Sequence, residues 1–221
     1  MAAEKRVAVV LSGCGFLDGA EIQEAVCTLL SLDRRKARVQ AFAPDVPQMH
    51  VVDHLKGEPA AGAGRGVLAE SARIVRGQVK DLAQARAADF DALVFPGGYG
   101  AAKNLCSYAV EGRKLQVNPE VARLIHDLHA AQKPVGFICI APIIGAKLLG
   151  AEGVKLTIGN DPGTAADVES FGARHVVCRV EDACVDERLK VVSTPAYMLG
   201  PSVGPVSQGI DKLVSAVLEM S

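Results

Sequence analysis

The sequence predicts an α/β domain built on a mostly parallel sheet, and two observations carry that prediction. Short apolar, β-branched runs recur along the chain, and amphipathic helical patterns separate several of them. Strands that are apolar throughout are suited to burial on both faces, as a sheet flanked by two helical layers requires. At 221 residues the chain is sized for one such domain over 1–221 rather than two.

The runs, in order, are VAVVLS at 7–12, VQAFA at 39–43, ALVFP at 92–96, PVGFICI at 134–140, KLTI at 155–158, HVVC at 175–178 and KVVST at 190–194. A helix is predicted over 20–32, where Ile22, Ala25, Val26, Leu29 and Leu30 share one face, and another where Val121, Leu124, Ile125 and Leu128 repeat the same spacing. The last helix, about 206–219, carries Ile210, Leu213, Val214, Val217 and Leu218 and is expected to close one face of the sheet. Residues 44–88 are the least regular. Pro44, Pro47, Pro59 and the tract AAGAGRG at 60–66 mark loops, so the stretch 44–66 reads as an inserted loop.

Charge and composition exclude several function classes. With 24 basic and 25 acidic residues in no like-charged block, the chain offers nothing for nucleic acid or an anionic membrane. No apolar run approaches the ~18 residues of a membrane span, and the start MAAEKRV has no signal-peptide core, which predicts a soluble, cytoplasmic protein. A mitochondrial location is the alternative if a transit peptide has been removed. Six cysteines without a CxxC pair argue against a zinc site and a disulfide framework, leaving free thiols.

Three strand ends carry candidate chemistry. In Gly136-Phe137-Ile138-Cys139-Ile140-Ala141-Pro142 an apolar strand stops at a cysteine and a helix starts at once, with Pro142 suited to its first turn. A thiol on such an elbow faces a helix N-terminus, which favours thiolate, so Cys139 is expected to be acidic and nucleophilic. Elbow nucleophiles prefer small residues two positions to either side; Ala141 fits and Phe137 does not. The plain alternative is a buried core cysteine. In Phe95-Pro96-Gly97-Gly98-Tyr99-Gly100 the glycines allow close backbone approach, so the N–H groups of Gly97 and Gly98, with that of Ile140, are candidates for holding an oxyanion.

The third end, Ser12-Gly13-Cys14-Gly15-Phe16-Leu17-Asp18-Gly19-Ala20-Glu21, has Asp18 where a dinucleotide fingerprint needs glycine, and no GxxxxGK phosphate loop occurs. A nucleotide cofactor is therefore not supported. Glu21 or Glu24 can reach the shared pocket and move a proton; Glu21 is taken first because it lies nearer the strand end. The alternative is an acidic residue that complements the helix dipole. Cys14 should adjoin the pocket, or be a structural turn cysteine.

The pieces SGCGFLDGAEIQEA, FAPDVPQMHVVDH, ESARIVRG, FPGGYGAAKNL, GFICIAP, LTIG and STPAYM resemble, in order and across nearly the whole chain, the ElbB family of isoprenoid-biosynthesis-associated proteins. That family belongs to the ThiJ/PfpI, class I glutamine amidotransferase-like superfamily. The resemblance implies a flavodoxin-like three-layer sandwich, a cysteine elbow at Cys139, a helix-start glutamate equivalent to Glu21, and a homodimer. Asn104 in GAAKNL joins Cys14 and Glu24 as a possible pocket residue.

One departure matters: superfamily glutaminases have a triad histidine about twenty residues after the elbow, where this chain reads Thr157-Ile158-Gly159-Asn160-Asp161. His126 and His129 precede the elbow on a helix, while His50 and His54 in the inserted loop can approach the pocket. The resemblance thus implies a glyoxalase or deglycase acting on a small aldehyde such as glyoxal through Cys139 and Glu21, with no metal or organic cofactor. A non-catalytic redox sensor or metabolite-binding protein is the alternative. An amidotransferase-like hydrolase without its histidine comes third.

Overall fold

Runs that the sequence marks as apolar throughout lie at the centre of one sheet. The computed structural model describes residues 4–60, 62 and 64–221. Its strands are β1 (Arg6–Val10), β2 (Arg38–Ala43), β3 (Val52–Asp53), β4 (Glu58–Pro59), β5 (Val79–Asp81), β6 (Ala92–Phe95), β7 (Val135–Ile138), β8 (Lys155–Leu156), β9 (Arg174–His175), β10 (Cys184–Asp186) and β11 (Val191–Thr194). Its helices are α1 (Ile22–Arg34), α2 (Val67–Ile74), α3 (Tyr99–Lys103), α4 (Tyr108–Glu111), α5 (Pro119–Ala130), α6 (Pro142–Leu149), α7 (Pro162–Ser170) and α8 (Val203–Met220).

The main sheet has seven strands in the order β10-β11-β7-β6-β1-β2-β5, and only β10 with β11 is antiparallel. This is the flavodoxin-like sandwich expected from the sequence. Crossover connections between parallel strands are right-handed, so the turn from building outward through β2 to building outward through β6 puts helices on both faces. The α1, α2 and α8 helices cover one face; α5 and α6 cover the other. Neighbouring residues on β7 mark the two sides: a Cβ on Gly136 would meet Leu213 and Val217 of α8, while Phe137 packs against Gly145 of α6.

Local sequence accounts for the helix starts. Asn118 and Asp161 cap α5 and α7 through their side chains, each followed by proline at the first turn, and Pro142 opens α6. The α8 helix buries Val206, Ile210, Leu213, Val214 and Val217 against β7 and β11, closing its face of the sheet as predicted.

Two predicted strands lie elsewhere. KLTI and HVVC supply β8 and β9, which pair with each other in a separate two-stranded sheet. HVVC leaves strand geometry after His175, where Val176 and Val177 are exposed. The β8 strand is tied to the main sheet through side chains: Lys155 N–H donates to Asp186 Oδ2 and Thr157 N–H to Ser193 Oγ, both at 2.8 Å. Within 44–66 the structure forms the β3–β4 hairpin and a bridge between Pro47 and Gly66. Residues 61 and 63 of the AAGAGRG tract lie outside the described residues. Among the described residues, no helix is long and apolar enough to cross a membrane.

Candidate active site

Strands β1, β6, β7 and β11 are neighbours or near neighbours, so parallel pairing brings their carboxyl ends to one rim. Cys139 follows β7 directly and precedes α6 with φ 62°, a left-handed conformation that costs a non-glycine residue ~1–2 kcal/mol. Its N–H donates to the Thr194 carbonyl at the end of β11, at 3.0 Å, which holds the strained turn in place. Phe137, the bulky residue that departs from the small-residue pattern, points away from the rim. It stacks on Phe95, its register partner on β6, with ring centroids 5.3 Å apart, and fits because Gly145 has no side chain. A large residue below the elbow is thus accommodated by a small one on the next helix.

The glycines after β6 are there for close approach. A Cβ on Gly97 would fall 2.3 Å from Cys139 Cβ and 2.6 Å from Glu24 Oε2, and Gly98 holds φ 91° against the backbone of Ala20 and Glu21. The N–H groups of Gly98 and Ile140 lie close enough to the Cys139 sulfur to favour its thiolate. That of Gly97 does not: it donates to Glu24 Oε2 at 3.0 Å, which removes Gly97 from the expected oxyanion donors.

Glu24 rather than Glu21 meets the thiol, correcting the order expected from the sequence. Glu21 is the N-cap of α1, and its side chain accepts the Glu24 N–H at 2.5 Å. One turn on, Glu24 is completely buried and its carboxyl lies beside the Cys139 thiol. Its other partners are the N–H groups of Gly97 and, at 3.2 Å, Tyr197. Burial outweighs these donors and lifts the Glu24 carboxyl to about 8, with the nearby Glu21 adding to the rise.

Cys139 is not the acidic thiol that a helix N-terminus alone implies. Burial first, then the Glu24 charge, push it well above the ordinary thiol value, although the N–H groups of Gly98 and Ile140 pull the other way. Burial also raises Glu21. At neutral pH the pair is a protonated carboxyl beside a thiol.

Other predicted residues lie apart from the thiol. Asn104 is buried and structural: its Nδ2 donates to the carbonyls of Ser12 and Asp18, and its Oδ1 accepts the Met49 N–H. Cys14 does not line the cavity and instead feels Arg73 and Glu70 of the α2 helix. Among the described residues no histidine lines it either. His54 accepts the Leu17 N–H and packs edge-on to Phe16, His129 pairs with Glu152, His175 lies near the Ile158 N–H, and His126 is exposed on α5.

A cavity of about 820 Å³ opens over Cys139, bounded by Glu21, Gly98 and Ile140 and walled by Phe16, Tyr99, Tyr108, Tyr197 and Met198. Tyr197 was missed in the sequence. Its signal was available: KVVST is a predicted strand, and the PAYM that follows it is a fourth strand end on the same rim. Tyr108 and Thr164 come from the short α4 helix and from α7, which the periodicity did not mark. Asp167 of α7 accepts from the Tyr108 hydroxyl at 2.7 Å and from Arg113 Nε at 2.5 Å, latching these two segments together beside the cavity. The arrangement can present a sulfur nucleophile, hold an oxyanion on two N–H groups and carry a proton on a carboxyl.

No family model matches the chain. It is 50% identical over 225 residues to the human "Glutamine amidotransferase-like class 1 domain-containing protein 3, mitochondrial", spanning 98% of this chain and 83% of that protein. Among solved structures, an isoprenoid biosynthesis protein with amidotransferase-like domain from Ehrlichia chaffeensis superposes with a TM-score of 0.89 at 39% identity, over 97% of this chain and 99% of the other. A two-domain protein with DJ-1/ThiJ/PfpI-like and ferritin-like domains from Anabaena variabilis shares the fold alone, at 18% identity and a TM-score of 0.58, over 98% of this chain and 48% of the other.

Proposed function

Since the chain belongs to the glutamine amidotransferase-like class 1 family and has the DJ-1/ThiJ/PfpI fold, we propose that it is a glyoxalase-type enzyme in which Cys139 adds to reactive aldehydes. The observation that carries this reading is the placement of the buried Glu24 carboxyl beside Cys139, which lines a cavity that no described histidine lines. Amide hydrolysis must protonate a poor amine leaving group, for which Cys-His hydrolases use imidazolium. Addition to an aldehyde needs only a sulfur nucleophile and a local proton carrier.

In the proposed mechanism the ionised form of Glu24, a minor fraction at neutral pH that grows as pH nears 8, takes the thiol proton as sulfur attacks the aldehyde carbon. The oxyanion forms toward the N–H groups of Gly98 and Ile140 and receives that proton. Glu24, poised near 8, then moves a proton between the two substrate carbons, and water releases the hydroxy acid. Incubation with glyoxal and separately with glutamine tests the reading. Glycolate that disappears in Cys139→Ala and Glu24→Gln supports it; Cys139-dependent ammonia without glycolate overturns it.

Finer readings follow from the same set of observations. The name of the Ehrlichia structure supports the ElbB-like, isoprenoid-associated assignment, and the name of the human relative supports a mitochondrial over a cytoplasmic location. A homodimer is part of the proposal, supported by the exposed stripe Ile22, Val26 and Leu30 on α1. We also read the chain as one domain carrying an insertion at 44–66. The redox-sensor alternative rests on Cys139 alone and predicts neither product.

A further inference from the structure

The cavity over Cys139 is far larger than glyoxal needs. At about 30 Å³ of liquid per water, a molecule of four heavy atoms fills on the order of 100 Å³. The cavity measures about 820 Å³, within the range of about 300–1,000 Å³ that takes drug-sized ligands.

Its walls select by chemistry as well as by size. Phe16 and Tyr99 leave about half of their surface open to solvent, at 47% and 53%. The Tyr108 hydroxyl is committed to Asp167 and the Tyr197 hydroxyl to Gln23, so these two residues offer a ligand ring surface rather than a free donor. No lysine or arginine lines the cavity among the described residues. The cations nearby are engaged elsewhere: Lys103 donates to the Leu17 carbonyl while lying 5.6 Å from the Tyr99 ring centroid, and Arg113 is held by Asp167. Among the described residues Glu21 is the one acidic side chain in the lining, and it repels an anionic substituent.

We infer that the substrate is an α-oxoaldehyde whose ketone carbon carries a bulky, uncharged, apolar group, aryl or branched alkyl, rather than glyoxal itself. The inference rests on the glyoxalase reading for its reaction but on the cavity for its specificity. The Cys139 S–H adds across the aldehyde C=O: a C–S bond forms and the thiol proton ends on oxygen. Transfer of a proton from the former aldehyde carbon to the ketone carbon, with the new hydroxyl's proton passing to the ketone oxygen, then oxidises the first carbon to a thioester and reduces the second to a carbinol. Water cleaves the thioester, giving the α-hydroxy acid and the free thiol. No external oxidant or reductant is consumed.

Binding preference can be read without turnover. Cys139 alkylation rates are measured by peptide mass spectrometry with iodoacetamide, N-benzyl-iodoacetamide, iodoacetate and 2-bromoethylamine, each divided by its rate with N-acetylcysteine. The normalised rate should be at least tenfold higher for the benzyl reagent than for iodoacetamide, and at least tenfold lower for iodoacetate. Phe16→Ala and Tyr99→Ala should each cut the benzyl preference several-fold. Equal rates for the benzyl and plain reagents, a faster anionic or cationic reagent, or a preference unchanged in both variants overturns the inference. Phenylglyoxal is compared with glyoxal in parallel by following mandelate and glycolate; faster glycolate formation also counts against the inference. A benzyl preference with neither acid formed supports the cavity's selectivity and overturns the glyoxalase reading alone.

Discussion

The Glu24 carboxyl lies beside the Cys139 thiol in a fully buried position, whereas Glu21, three residues earlier, turns back to cap its own helix. Exchanging the two carboxyls for amides should therefore give unequal results. Glu24→Gln removes the charge that raises the thiol, so Cys139 alkylation at pH 8.5–9 should speed up several-fold while aldehyde turnover falls. Glu21→Gln should leave the alkylation rate within about twofold. The reverse pattern would return the role to Glu21.

Glu24 also makes stability depend on pH. Its ordinary value is 4.5 and its folded value about 8, so between these limits the folded chain holds a proton that the unfolded chain has released. Stability contributed by this group is full below pH 4.5 and falls as pH rises toward 8. At 1.36 kcal/mol per unit the loss is on the order of a few kcal/mol. Denaturation midpoints of Glu24→Gln and the parent should diverge between pH 5 and pH 8 in favour of the variant. Parallel curves would mean that Glu24 is ionised in the folded state.

Gly97→Ala tests the close approach after β6. Its Cβ would lie 2.3 Å from Cys139 Cβ and 2.7 Å from the Ile138 carbonyl, neither of which is the end of a flexible side chain. Overpacking of this kind costs about 1–3 kcal/mol, and here it also displaces the thiol. The expected result is a lower melting temperature together with lost turnover. A variant with parental stability and activity would contradict the geometry.

Phe137→Ala removes the ring that stacks on Phe95 beneath the elbow, in a fully buried site. A loss of about 3–5 kcal/mol is expected from urea denaturation. Phe137→Leu should recover part of it. Cys139 should also react faster in the alanine variant, because the strained turn loses its support.

Asp167→Asn releases the latch between α4 and α7. The Tyr108 hydroxyl is held at about 12 by burial first and then by its bond to Asp167, so the variant should lower that value in a spectrophotometric titration. Arg113 is largely exposed, so global stability should change by less than about 1 kcal/mol. Hydrogen exchange across residues 107–116 should rise.

Legibility in the sequence followed burial. VQAFA, ALVFP and KVVST announce β2, β6 and β11 because the strands they form sit well inside the sheet. VKD at β5 and CVD at β10 lie on its two edges, where the two polar residues of the first and the one of the second cost little, so no apolar run marks them. The Cys139 elbow was legible because strand, cysteine and Pro142 follow without a gap. Its protonation was not, since desolvation depends on neighbours such as Glu24 that only the fold supplies. The choice between Glu21 and Glu24 was decided by nearness along the chain, although the helical pattern held the better clue. Glu24, Thr28 and Ser31 fall at i, i+4 and i+7 on one buried stripe, and Glu21 stands at the cap position before it.

The docking of α1 against α8 bears on how the protein is made. Ser31 of α1 and Arg35, the residue that caps its C-terminus, both bind Asp211 of α8, and Ser31 lies 180 positions before that partner. At about 5–20 residues per second, a ribosome needs roughly 10–35 s to add those positions. During that interval the helix bearing Glu24 has no α8 to rest on, and the face that α8 later covers stays open to chaperones or to neighbouring nascent chains. The helix that carries Glu24 is thus among the first parts translated and among the last to be locked in place.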